Sequence, residues 1–353
     1  MQRTLFYMFC AFASLAAAGD AFPPHTTWRL HHRLQVGWEC DSNVFEALND
    51  PHAGQDLRLL YEIKAAASRV AGRYQFGYRS GGQFYPDKAR ENKLIQEIEA
   101  GGECALTPAL ALGGSGYGRL KLFLQRDEDY AFGRAQLYLA LRLPARFTIK
   151  GGFSGEGLDY STAGFYDYAA PGLFCQLHRP ISNHIAVTGR ASLLTLHYRR
   201  VLYRLVSRNE AYPSQDAHQE DDLAMWGLRV DVNWCGFLGQ IGYRREESRS
   251  NSPGYDYSRD VIEVSMVQQL YGWYLRGLLT LQQKRYRDDL YPFWPLQPDA
   301  ELEESNVLVI DLSRPLMTRI EMILRAAWYR NESPWAALFY SKRLLSLNLE
   351  YQF

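Results

Sequence analysis

The chain has 353 residues, and its 39 basic side chains are matched by 39 acidic ones, so bulk charge gives no support to binding a polyanion such as nucleic acid. Apolar residues make up 47% and aromatics 14%, with 24 tyrosines. That is rich for a soluble enzyme and ordinary for a sheet that needs rings at two lipid–water boundaries.

At the amino terminus, Arg3 precedes an apolar run from Leu5 to Ala18, with small residues at Ala16, Ala18, Gly19 and Ala21. The pattern predicts a secretory signal peptide over residues 1–21, cut after Ala18 or Ala21, and one exported domain over 22–353. The run falls short of the ~20 residues a spanning helix needs, and no later segment supplies one. Cys10 has no small residues immediately before it, so lipidation is not read there. Cys40, Cys104, Cys175 and Cys235 follow, far apart, with no C-x-x-C pair and no histidine at ligand spacing. They read as small apolar fillers. No metal site and no cofactor is expected.

From Thr27 onward the apolar residues alternate with polar ones. Trp28, Leu30, Leu34, Val36 and Trp38 share one face; Arg29, His31, Arg33, Gln35 and Glu39 share the other. A polar, turn-rich stretch follows, then a second alternating segment to Ala65, a short link near Ser68, a third segment and another long polar loop. The rhythm continues, predicting strands at 27–39, 57–67, 70–79, 92–105, 110–124, 130–143, 147–158, 168–178, 184–198, 223–234, 237–247, 257–270, 273–286, 305–314, 319–330 and 340–353. Short turns fall at 107–108, 144–145, 179–183, 235–236, 271–272 and 315–318. The longest loops are expected at 199–222 and 287–304. Tight turns at one end and long loops at the other predict an all-β, up-and-down antiparallel transmembrane barrel of about sixteen strands, with fourteen as the alternative. The glycines between Gly113 and Gly118 predict a kinked strand or a barrel corner.

Aromatic placement points the same way. Trp28, Phe147, Trp234, Phe237, Trp273, Tyr351 and Phe353 lie at the turn ends of their strands; Trp38, Tyr78, Trp226, Tyr243, Tyr286 and Trp328 lie at the loop ends. Two such belts are what two membrane interfaces select, whereas a soluble sandwich would concentrate rings mid-strand.

The last dozen residues read K-R-L-L-S-L-N-L-E-Y-Q-F, with Leu345, Leu347, Leu349, Tyr351 and Phe353 on one face. This ending resembles the C-terminal assembly signal of bacterial outer-membrane barrels. The first long loop opens C-D-S-N-V-F, which resembles the Y-D-S-N-V-F of porin-type barrels, with Cys40 in place of the tyrosine. The layout as a whole is similar to the outer-membrane β-barrel porin families. That resemblance implies an integral outer-membrane location, contact with lipid and lipopolysaccharide, delivery by the barrel-assembly machinery through Leu347, Leu349, Tyr351 and Phe353, and small solutes as cargo.

With apolar faces outward, the polar faces line the interior, and they are rich in arginine: Arg29, Arg33, Arg73, Arg119, Arg134, Arg190, Arg229, Arg276 and Arg325 are the candidate selectivity residues. Two readings stay open: a basic pore wall that favours anionic solutes, or cross-bracing of these arginines to fewer acids on the same faces. Acidic runs at 127–129, 220–222, 288–289 and 301–304 predict an acidic outer rim, which is commonly a solvated loop surface. The loop from Leu290 to Pro298 sets aromatics between prolines.

Enzymes need a nucleophile and a base in register. His178, His184 and His197 lie near Ser182 and Ser192, and His218 lies beside Asp221 and Asp222, but no nucleophile motif is present. The expectation is therefore a non-enzymatic channel for small polar or anionic solutes. The alternative is a non-conducting barrel serving as a surface-export or assembly partner.

Overall fold

A strand that alternates apolar and polar residues cannot bury both faces in the same medium, so it needs a wall with different surroundings on its two sides. The computed structural model satisfies that demand by closure. It describes residues 28–46, 51–68, 72–161, 164–207, 210–287, 306–331 and 340–353. The expected leader at 1–21, most of the loop at 287–304 and its aromatic stretch Leu290 to Pro298 lie outside these described residues.

Among the described residues sixteen strands form: β1 (Arg29–Asp41), β2 (Gly54–Ser68), β3 (Gly72–Phe84), β4 (Lys93–Ala105), β5 (Leu110–Phe123), β6 (Tyr130–Arg142), β7 (Thr148–Tyr160), β8 (Tyr168–Pro180), β9 (Ile185–Ser207), β10 (Glu210–Trp234), β11 (Phe237–Ser250), β12 (Tyr257–Leu270), β13 (Trp273–Tyr286), β14 (Asn306–Met317), β15 (Ile320–Asn331) and β16 (Tyr340–Gln352). Each pairs antiparallel with its sequence neighbours, and β16 returns to pair with β1, closing the barrel. Among the described strands no sheet edge is left unpaired. Closure runs to the last residue: the Phe353 N–H donates to the His32 carbonyl at 3.1 Å, and the Tyr351 and Phe353 rings meet edge-on at 4.8 Å.

Two of the tight hairpins show why their sequences turn where they do. Cys235–Gly236 and Tyr271–Gly272 have positive φ at both positions (47° and 79°, 48° and 81°). That is the mirror-image turn whose twist matches the strands it joins, and glycine at the second position relieves half of its steric cost. The glycines of β5 do not interrupt its pairing. The strand keeps register with β4 and β6 throughout, and Gly113 leaves room for the Tyr138 ring, which a Cβ there would meet at 2.4 Å.

The expected long loop at 199–222 is a correction. β9 and β10 continue through most of it as a projecting hairpin, with register shifts near Ala211, His218 and Glu220. The bulges absorb residues that break strict alternation, Pro213 among them, so pairing persists where periodicity fails.

The outward face is apolar along its length. Leu137, Phe153, Leu173, Leu193, Leu228, Ile241, Leu345, Leu347 and Leu349 are all exposed, Phe153 at 68%. The inward face holds buried Glu39, Glu62, Ser346, Asn348 and Glu350. This inverts a soluble protein, in which the C-terminal leucines would be covered. Trp28, Trp38, Trp234 and Trp328 stand exposed near the strand ends. Trp226 is exposed too, but the extension of β10 to Glu210 places it mid-strand rather than at a loop end. Trp273 is half-buried under Arg314, whose guanidinium lies 5.2 Å from its ring. Trp28 and Trp38 are ten residues apart, about 33 Å of strand; at a tilt of about 40° that is roughly 25 Å along the axis, the height of a lipid-facing band. Tyr286 is a second correction. Parity turns it into the lumen, where its ring meets that of Tyr257 at 6.1 Å.

Candidate functional site

Among the described residues, the interior gathers polar side chains from many strands, and its two walls differ. From β16 round to β5 the inward charges alternate. Arg33 donates to Glu62 (2.7 Å) and to Glu350 (3.2 Å). Arg79 donates to Glu62 at 3.1 Å and Glu97 at 2.8 Å, and Arg119 lies 3.8 Å from Glu97. The result is an unbroken series, Glu350–Arg33–Glu62–Arg79–Glu97–Arg119, crossing six strands. Arg58 reaches Glu39 at 2.7 Å above it, and Arg142 and Lys150 share Glu103 below. Arg325 holds both oxygens of Asp311 (2.7 and 2.8 Å), and Arg276 lies 3.4 Å from Glu321.

The cross-bracing reading thus describes Arg33, Arg119, Arg276 and Arg325. Arg134 belongs with them through Glu156 (2.9 Å), and Arg229 contacts Asp231 (3.2 Å). Such partly exposed pairs add little energy one by one. They do cancel the field of those arginines. Arg29 and Arg73 sit at the turn-side ends of β1 and β3, away from the other candidates.

Arg190 is different. Its cross-strand neighbours are Gln176 on β8 and Gly227 on β10, neither of which carries charge. Among the described residues it forms no ion pair; its guanidinium faces the Phe174 ring, 5.4 Å from the centroid, and it is exposed to the lumen. It opens onto a cavity of about 810 Å³ walled mainly by β6 to β13. That wall includes seven basic side chains (Arg134, Arg190, Arg200, Arg229, Arg244, Arg259 and Lys284) and three acids (Glu156, Glu246 and Glu263).

Above Arg190 the inward face of β9 turns apolar. Leu194 and Leu196 pack with Ala170 and Leu223 as a buried cluster inside the barrel, edged by Tyr168, Tyr198, Met225 and Tyr257. Higher still, buried Arg200 lies within 4.1 to 5.3 Å of the ring centroids of Tyr198, Tyr255 and Phe165 and donates to Gln219 at 2.8 Å. Strict alternation leaves this cluster hard to see in sequence, because L-L-T-L at 193–196 places a leucine on both faces.

At the mouth, the Gln83 amide donates to Tyr85 at 2.8 Å and to Asp56. Burial, with Asp56, Asp41 and Glu39 nearby, pushes the Tyr85 phenol above its ordinary range, so it stays neutral. The residues considered for catalysis are occupied otherwise. Asp221 faces inward and accepts from Gln219, while Asp222 faces outward and accepts from Thr195, so the two acids stand on opposite sides of one sheet. The Ser182 hydroxyl accepts the N–H groups of His184 and Ile185. Among the described residues no cluster of histidine, cysteine or acids could hold a metal ion. Cys40, Cys104, Cys175 and Cys235 are free thiols, and all but Cys104 are exposed.

These features define a class: an up-and-down antiparallel barrel of sixteen strands, apolar outside and charged within, of the kind that crosses a bilayer with strands. Among solved structures the chain is similar to Acinetobacter baumannii OccAB3 (10% identity, TM-score 0.46, covering 92% of this chain and 99% of that one). It is also similar to a loop L8 deletion mutant of OmpT, an outer membrane protein of Vibrio cholerae (9%, 0.46, 93% and 99%), and to the Pseudomonas putida toluene transporter TodX (10%, 0.41, 95% and 91%). At these levels the likeness goes no further than barrel shape. No protein-family description and no curated protein matches the chain in sequence.

Proposed function

We propose that this chain is an integral outer-membrane channel that passes small polar or anionic solutes, its tight turns toward the periplasm and its long loops outside. The exposed apolar belt supports insertion in lipid, and barrels of this strand number commonly hold a water-filled passage. Leu347, Leu349, Tyr351 and Phe353 would then present the signal read by the assembly machinery, and the outer loops would meet lipopolysaccharide.

The observation that carries the selectivity is Arg190: a guanidinium facing the lumen without a carboxylate partner, in a wall with more basic than acidic groups. Arginines already tied to acids contribute little net field, so Arg190 outranks Arg33, Arg119, Arg276 and Arg325 among the candidates. Purified protein in a planar bilayer should give stepwise current whose reversal potential under a salt gradient favours anions. Arg190→Glu should move that potential toward cations, and Arg134→Glu should move it further by exposing Glu156. Absence of steps sinks the channel; an unmoved potential sinks the selectivity.

A second reading, a non-conducting barrel acting in surface export or assembly, draws on the projecting β9–β10 hairpin as a contact surface and on the leucine cluster that narrows the lumen. The same conductance measurement separates the two.

A further inference from the structure

Resting on the reading of the lumen as an anion path, we propose that its outer half is a binding site for an amphiphilic monoanion, a carboxylate carried on a flat apolar body. Three observations converge on that chemistry. First, Arg190 lies in the cavity wall between uncharged cross-strand neighbours, Gln176 and Gly227, and forms no ion pair among the described residues. A planar guanidinium offers parallel donors that fit a carboxylate. Arg134, Arg229 and Arg244 in the same wall already lie on acids, so Arg190 leaves a place for one negative charge.

Second, the inward rows above turn from mixed to apolar. On β9 and β10 the paired inward residues run Arg190 with Gly227, Ser192 with Met225, then Leu194 with Leu223. Two inward steps separate Arg190 from Leu194, about 13 Å of backbone. That span accommodates the reach of an arginine side chain plus one small ring. Third, the apolar patch is edged by rings: Tyr168 meets Tyr198 at 5.6 Å, and Tyr257 stands with Met225 on the other side. Leu194, Leu196 and Leu223 are buried against one another, but Met225, Tyr168, Tyr198 and Tyr257 beside them are only partly buried and line the cavity, so they forgo part of the stabilisation of burial. Here they are placed where a ligand's apolar body recovers it, while the Arg190 end holds its charge. A purely ionic solute would leave Met225 and the tyrosines unused; a neutral ring would leave Arg190 unused.

The test is equilibrium binding to the full chain in lipid nanodiscs, with empty nanodiscs subtracted, using benzoate, acetate and benzyl alcohol as probes. Benzoate should bind at least about tenfold more tightly than either acetate or benzyl alcohol. Arg190→Gln should lower benzoate affinity by about tenfold and leave benzyl alcohol unchanged, with Arg190→Lys restoring part of the loss. Met225→Ser should weaken benzoate and leave acetate unchanged. Heat-modifiable migration on gels confirms that each variant is folded. Benzoate binding no tighter than acetate, or untouched by Arg190→Gln, overturns the proposal. Binding is read without current, so a barrel that conducts anions but ignores the ring fails only here, and one that binds benzoate without conducting fails only as a channel.

Discussion

The guanidinium of Arg190 lies 5.4 Å from the ring centroid of Phe174, on the neighbouring strand β8, rather than on a carboxylate. A cation over a ring face is held in place without being neutralised. Arg33, also on an inward face, lies against two acids at once, Glu62 and Glu350. The contrast separates arginines tied to acids from one that has no carboxylate partner among the described residues.

Anion preference should depend on salt. At 0.1 M ionic strength the screening length is about 10 Å and at 1 M about 3 Å. An unpaired charge such as Arg190 therefore acts across a lumen only in dilute salt. The anion-to-cation permeability ratio, measured from reversal potentials at a fixed gradient, should fall toward unity between those conditions, and in Arg190→Gln it should start near that lower value.

Stability should rank the arginines in the opposite order. Arg33→Gln leaves Glu62 and Glu350 facing each other with less compensation, and both are buried. After discount for the partial exposure of Arg33, the expected cost is about 2 kcal/mol. Arg190→Gln breaks no ion pair and should stay within about 0.5 kcal/mol of the parent. Urea titrations of protein folded into lipid vesicles measure both.

The outer face should reject charge according to depth. Phe153 is exposed at the middle of β7, between Leu137 and Leu173 on the flanking strands. Phe153→Arg should cost about 2–4 kcal/mol in vesicles. Tyr271→Arg, at the tip of a tight turn, should change stability by no more than about 0.5 kcal/mol. Equal costs at the two sites would remove the bilayer from the account.

Phe353 should matter to assembly more than to the finished barrel. Its backbone N–H makes the ladder bond to His32 whatever side chain it carries, and its ring is exposed. Phe353→Ser should therefore lower the fraction of heat-modifiable barrel in cells several-fold, while the unfolding midpoint of the barrel that forms stays unchanged.

Much of the fold was legible because a period of two states both conformation and facing. The alternation through Leu345, Leu347 and Leu349 assigned a strand and its outward face together. The run of alternating segments gave about sixteen strands, with fourteen left open, and each expected strand is present with ends shifted by a few residues, β9 and β10 excepted. There the pattern fails at Pro213, while pairing carries on through bulges that no local periodicity encodes.

The alternation by itself determined the facing of most side chains, Tyr286 excepted, since that needs only the position of each along its own strand. Which arginine meets which acid was decided by the tertiary structure alone. Arg33 and Glu350 lie 317 positions apart and touch because the barrel closes in one register. The same register sets Gln176 and Gly227 beside Arg190 and leaves its charge uncompensated. Ion pairing falls off over a few ångströms, and only the closed sheet fixes distances that short between strands remote in sequence.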